Sequence, residues 1–158
     1  MSTVAKFLRL LDAKSIFLDL ESGTKDDVLQ EMVRLLGERD SFDEKTSTAI
    51  LRALRDRERI GSTGIGKGVA IPHAKTKSVE DTVVALGRSA EGLDFQALDG
   101  GPVRALFMVV SHPDLQEQHL EILRWISKVV RQPDFVNFFL QSKTPREVQA
   151  LLREMSDE

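Results

Sequence analysis

Cysteine is absent from the 158 residues, which excludes a disulfide framework, a thiolate zinc site and a cysteine nucleophile. A basic excess is absent as well. The 22 Lys and Arg stand against 25 Asp and Glu, for a formal net charge of -3. Nucleic-acid binding usually needs the opposite balance, so none is expected. Long apolar runs are missing too: the longest, Ala105 to Val110, falls far short of the ~20 residues that span a bilayer. No membrane insertion is expected. Near the N-terminus, Lys6, Arg9 and Asp12 interrupt every apolar stretch. That leaves no signal-peptide core, and a cytoplasmic location is the default. No repeat, low-complexity tract or Pro/Ser-rich linker divides the chain, so residues 1–158 read as a single domain.

What is present is the composition of an ordinary globular chain, 41% hydrophobic and 30% charged, enough to bury a core without staples. Residues 4 to 11 predict a short helix. Ile16, Leu18 and Leu20 alternate with Phe17 and Asp19 as in a strand. Thr24 precedes Asp27 by three residues, a helix-start signal, and Val28, Met32, Leu35 and Leu36 follow at helical spacing. Ser41 and Glu44 predict a second helix start, with Ile50, Ala53 and Leu54 on its apolar face. Thr82 to Gly87 and Val103 to Val110 read as strands. The second is continuously apolar, as a central strand buried on both faces would be. Asp114 and Glu117 open a helix with the stripe Leu120, Leu123, Ile126 and Val130, and Pro133 ends it. A short segment carrying Phe135, Phe138 and Phe139 follows. Thr144, Pro145 and Glu147 then start the last helix. The order predicts an α/β (α+β) fold, a small mixed sheet flanked by helices.

Between the second helix and the strands lies Gly61-Ser62-Thr63-Gly64-Ile65-Gly66-Lys67-Gly68. Glycine allows positive φ and close backbone approach, and successive N–H groups in such a loop can cradle an anion. Gly64, Gly66 and the hydroxyls of Ser62 and Thr63 are therefore candidate phosphate-binding groups. The alternative is a surface loop whose glycines serve tight turns. Gly61, Gly66 and Lys67 match most of the nucleotide P-loop, but Gly68 stands where the magnesium-binding hydroxyl belongs. Pro72 also blocks the helix that a P-loop requires. The dinucleotide fingerprint fails because Val69 replaces its third glycine.

His73 follows this loop. A neutral imidazole is nucleophilic near pH 7, one nitrogen attacking while a hydrogen bond fixes the other, so His73 is either a phosphoryl acceptor or a turn-capping histidine. No metal or cofactor need be invoked. His119 shares a helix face with Leu123, Ile126 and Val130 and points inward, either as a hydrogen-bond donor that stabilises phosphate oxygens or orients His73, or as a satisfied core histidine. Arg57 falls near the end of the second helix, on the face of Ile50, Ala53 and Leu54, and a guanidinium suits a phosphoryl group. It also sits among Arg52, Arg55, Asp56, Glu58 and Arg59, as a solvated helix end would. Lys67 and Lys75 rank below these as attractors of an anion. His112 reads as a loop residue outside the site.

Glu58, Ile65, Gly66, Val69, Ala70, Ile71, Pro72, His73 and Ala74 resemble the signature of the fructose/mannitol-type enzyme IIA domains of the phosphoenolpyruvate-dependent phosphotransferase system. The stretch Arg57 to His73 is especially similar to their nitrogen-regulatory branch. Phe95, Ala97, Leu98, Asp99, Pro102 and Val103, and later His119, Leu120 and Leu123, extend the resemblance over nearly the whole chain. It implies a phosphohistidine on His73, with His119 and Arg57 beside it. It also implies a histidine-containing HPr-type protein as phosphoryl donor, and an enzyme IIB or regulatory target downstream. With no IIB or membrane domain in the chain, a standalone nitrogen-regulatory enzyme IIA is the expectation. A fructose or mannitol transport subunit and an unphosphorylated binding module are the alternatives.

Overall fold

A computed structural model describes residues 3–156. In chain order, α1 (Thr3–Leu10) and a 3-10 turn (Ala13–Ser15) lead to β1 (Ile16–Phe17), α2 (Lys25–Asp40) and α3 (Glu44–Ile60). The strands β2 (Gly64–Gly66), β3 (Val69–Ala70), β4 (His73–Lys75), β5 (Val83–Leu93) and β6 (Val103–Ser111) follow. A second 3-10 turn (Pro113–Leu115), α4 (Gln116–Val130), α5 (Phe135–Gln141) and α6 (Pro145–Ser156) complete the order.

The sheet is mixed, as predicted. Its order is β1-β5-β6-β3-β2, with β4 beside β3 on the same edge of β6. β5 and β6 pair antiparallel, as do β2 and β3, while β1 runs parallel to β5 and both β3 and β4 run parallel to β6. Successive side chains of a strand point to opposite faces, and β6 sorts two cores in this way. Ala105, Phe107 and Val109 join the core under α1, α4, α5 and α6. Leu106, Met108 and Val110 join the one under α2 and α3. Pro72 separates β3 from β4, since it has no N–H for the ladder, though its carbonyl still accepts from Val109 N–H at 2.9 Å.

Two helix starts follow the sequence signals. Thr24 Oγ1 accepts from Asp27 N–H at 3.2 Å, and Thr144 Oγ1 accepts from Glu147 N–H at 3.2 Å. Four expectations are corrected. Ser41 does not start α3; it ends α2 in the left-handed region at φ 58°. Asp43 caps α3 instead, its carboxylate accepting from Thr46 N–H at 2.7 Å. The first strand stops at Phe17, because Arg88 takes over beyond it: its guanidinium donates to Leu18 O at 3.0 Å. β5 runs on to Leu93, past Gly87, through a register shift that Gly92 permits at φ +81°. α4 begins at Gln116, and its buried stripe is His119, Ile122, Trp125, Ile126, Val129 and Val130, with Leu120 turned outward.

Phe107 is fully buried and packs against Phe135, while Phe138 is 49% exposed. Phe107→Ala is expected to cost roughly 3–5 kcal/mol in urea unfolding. Phe138→Ala should stay within about 0.5 kcal/mol.

Candidate functional site

The glycine stretch folds into a hairpin rather than an open cradle. β2 and β3 pair antiparallel across the two-residue turn Lys67-Gly68. Both turn residues have positive φ, 56° and 84°, the combination whose twist matches flanking strands. Asp99 clamps the turn by accepting from Lys67 N–H at 3.0 Å and Gly101 N–H at 3.0 Å. The groups expected to hold a phosphate have partners inside the protein. Ser62 hydroxyl donates to Phe95 O and accepts from Gly64 N–H. Thr63 hydroxyl donates to Glu58. Gly64 is needed because a Cβ there would lie 2.8 Å from Ala97 Cα. At Gly66, φ is +96° and a Cβ would crowd the Asp99 carboxylate. These four residues shape the hairpin, and their proton donors are largely spent on it. Glu58 anchors its base, with Thr63 N–H at 3.1 Å and the Lys25 ammonium at 2.8 Å.

His73 opens β4, opposite Val109 of β6. Its Nδ1 lies 2.7 Å from Ile71 O. A carbonyl only accepts, so Nδ1 carries the proton and Nε2 keeps its lone pair. The ring of His119, on α4, stands 5.8 Å from that of His73, centroid to centroid. His119 is 2% exposed, and its Nδ1 lies 2.7 Å from Ser111 Oγ at the end of β6. The inward orientation expected for His119 is therefore present, and the two histidines meet between the sheet and α4.

Electrostatics keep both rings neutral. Burial pulls the His73 pKa below its ordinary value; the Ile71 carbonyl opposes this, the Arg57 and Lys75 cations add to it, and Glu58 opposes it. Burial, then His73 and Lys75, bring His119 down to about 4. Arg57 sits in the last turn of α3 and donates to Gly61 O at 2.8 Å. It thus ties the helix end to the hairpin with one N–H, and its guanidinium has others for an anion. Lys75 lies on the His73 face of β4, two residues on, and donates to Gln116 Oε1. His112 stays outside the site, where its Nδ1 accepts from Asp114 N–H at 3.0 Å and caps the turn before α4. Ser111 is a site neighbour that no sequence motif marks. Its signal is parity with Phe107 and Val109, which places a hydroxyl on the buried face beneath α4.

The pattern of the family "Phosphoenolpyruvate-dependent sugar phosphotransferase system, EIIA 2" matches residues 9–155. The chain belongs to this family. A fructose-specific EIIA component of Haloferax volcanii is 36% identical over 89% of this chain and 90% of its own. A nitrogen regulatory protein of Pseudomonas aeruginosa is 36% identical over 74% of this chain and 75% of its own. A fructose-specific EIIABC component of Bacillus subtilis is 36% identical over 88% of this chain, which spans 22% of that larger protein. The crystal structure of the nitrogen regulatory protein IIA-Ntr of Neisseria meningitidis superposes with a TM-score of 0.85 at 31% identity, over 93% of this chain and 99% of its own. That of IIA mannitol from Escherichia coli shares the fold, with a TM-score of 0.75 at 20% identity, over 90% and 98%. As an EIIA-family member the chain is a phosphotransferase-system component, and the phosphohistidine-carrier role of that family fits it.

The depressed pKa of His119 makes stability depend on pH. The unfolded chain protonates this histidine near its reference value of about 6.5, whereas the folded chain resists until about 4. The contribution is fully present above that window and falls as the pH drops through it. Urea midpoints measured from neutral pH downward are expected to fall, and His119→Gln should flatten the slope by up to about 1.4 kcal/mol per pH unit. An unchanged slope would show that His119 is not held neutral by burial.

Proposed function

We propose that His73 accepts a phosphoryl group from an HPr-type phosphocarrier and holds it on Nε2 until an acceptor takes it. The contact between His73 Nδ1 and Ile71 O carries this reading. It leaves Nε2 as the nucleophile and fixes the ring without a metal. As the Nε2–phosphorus bond forms, the bond from phosphorus to the donor imidazole breaks, and its electron pair returns to the donor. The proton on His73 Nδ1 stays, and the Ile71 carbonyl stabilises the positive charge that the ring acquires. In this reading Arg57 and His119 meet the phosphate oxygens, with Lys75 as a further cation; the Arg57 and Lys75 charges felt by His73 support it.

The segments that build the site also carry exposed apolar side chains. Ile60 and Leu98 are each 84% exposed, Ile65 and Leu120 less so. Leu98 N–H donates to Gly64 O, which keeps that side chain beside the hairpin. Exposed apolar side chains on the segments that carry the site suit a protein partner, first the HPr-type donor and then an enzyme IIB or a regulatory target. A IIB partner is seen for the mannitol relative from Escherichia coli, in a complex of IIAMTL and phosphorylated IIBMTL. We take residues 1–158 as one EIIA type-2 domain acting in the cytoplasm. Among the described residues no helix is long and apolar enough to cross a membrane.

We read the output as regulatory, of the nitrogen-regulatory type. The 0.85 TM-score with the IIA-Ntr of Neisseria meningitidis supports this, as does the Arg57–His73 stretch. Fructose transport is the second reading, favoured by the Haloferax volcanii component, which matches over 90% of its own length.

Incubation with enzyme I, HPr and phosphoenolpyruvate should give an acid-labile phosphoryl adduct. His73→Ala should abolish it. His119→Ala should slow transfer by roughly 100-fold or more, the usual cost of one lost stabilising donor, with the fold largely intact by circular dichroism. An adduct on the His73→Ala chain, or none on the wild type while HPr is charged, would overturn the assignment.

A further inference from the structure

Thr82, Ser111 and Gln118 form a polar chain that the transfer step above does not use. Thr82 precedes β5, Ser111 ends β6, and Gln118 lies in the first turn of α4, one residue before His119. Thr82, Ser111 and His119 are buried, so their polar groups need partners within the protein. The direction of each bond follows from counting protons. A carbonyl oxygen only accepts, so the 2.7 Å bond from Thr82 Oγ1 to Gln118 Oε1 uses the single proton of Thr82. The 3.1 Å contact between Thr82 Oγ1 and Ser111 Oγ must then use the proton of Ser111. With that spent, the 2.7 Å contact between Ser111 Oγ and His119 Nδ1 needs a proton from the ring. Neutral His119 therefore carries its proton on Nδ1, and its Nε2 holds a lone pair.

We propose that Gln118, Thr82 and Ser111 are positioning residues that hold His119 in its Nδ1–H tautomer, so that His119 answers phosphorylation of His73 by taking up a proton on Nε2. The uptake rests on the reading of His73 as phosphoryl acceptor; the tautomer does not. The step balances simply. A proton from water adds to His119 Nε2, no bond to phosphorus changes, and Nδ1–H stays on Ser111. The result is an imidazolium whose new N–H can donate to a phosphate oxygen.

The charged and titratable groups around the pair are His73 and Lys75 from β4, and Arg57 and Glu58 from α3. Before phosphorylation, burial and the Lys75 cation disfavour a proton on His119. A phosphoryl group on His73 places negative charge beside the ring and reverses that preference. A ring with Nε2–H already in place would donate without gaining charge, and its response would be independent of pH.

The test uses the full chain with 15N-labelled histidine. At neutral pH the wild-type His119 should show a protonated Nδ1 and an unprotonated Nε2. Thr82→Val removes the acceptor of the Ser111 proton, which should turn to His119 Nδ1 and shift the ring to Nε2–H. Gln118→Met, at a half-buried position, frees the Thr82 proton and should reverse the chain in the same sense. Gln118→Glu keeps an acceptor and should keep the wild-type tautomer. After charging with enzyme I, HPr and phosphoenolpyruvate, wild type and Gln118→Glu should gain a protonated His119 Nε2 together with Nδ1–H. Thr82→Val and Gln118→Met should lose this uptake and its pH dependence. A wild-type ring in the Nε2–H form, or tautomers unmoved by both Thr82→Val and Gln118→Met, would overturn the positioning role. A chain that takes no phosphate from charged HPr would overturn the transfer reading and the proton uptake built on it, while the tautomer spectra alone decide the role of the three residues.

Discussion

Burial of β6 on both faces is the constraint on which the other elements depend. Its residues from Ala105 to Ser111 are all fully buried, which is possible only if every backbone group finds a ladder partner and every side chain a packed neighbour. β5 satisfies one edge, and β3 and β4 share the other. That sharing puts His73 opposite Val109 and Lys75 opposite Ser111. Because side chains alternate, the parity that sends Phe107 and Val109 into the core beneath α4 also sends Ser111 there. The hydroxyl waits at the end of an apolar row, and His119 bonds to it. His73 and His119 thus inherit their positions from the packing of β6.

The break between β3 and β4 shows how a covalent detail becomes a chemical one. Pro72 cannot donate to the ladder, and the interruption leaves the Ile71 carbonyl for the His73 ring. In the transfer we propose, that carbonyl decides which imidazole nitrogen attacks. The hairpin before it has a supporting role. Its glycines let β2 press against Ala97 and let Lys67 and Gly68 turn back tightly, while Asp99 and Glu58 hold its two ends.

Much of this was legible in the sequence. The unbroken apolar run to Val110 announced a central strand, and the Thr24 and Thr144 signals marked real caps. His73, His119 and Arg57 were singled out by residue chemistry and by resemblance together, and the fold gathers His73 and His119 into one site with the Arg57 charge felt by His73. Other features were not legible for identifiable reasons. Four glycines in eight residues fit a phosphate cradle as well as a hairpin, and Lys67 at positive φ lacks the usual asparagine or aspartate signature. Ser41 looked like a helix start because serine caps well, but Asp43 offered the better acceptor and left Ser41 to end the preceding helix. The chain from Gln118 to His119 was invisible. It joins residues 29 and 36 positions apart, and no local pattern links Thr82 to Ser111 without the β5–β6 register.

The proposed transfer depends on which nitrogen of His73 takes the phosphoryl group. One spectrum decides it: the phosphorus coupling recorded on a 15N-histidine-labelled chain after charging through enzyme I and HPr. Coupling to Nε2 of His73 is expected, with Nδ1 still protonated and hydrogen-bonded to the Ile71 carbonyl. Coupling to Nδ1 of His73, or to any other histidine, would contradict it.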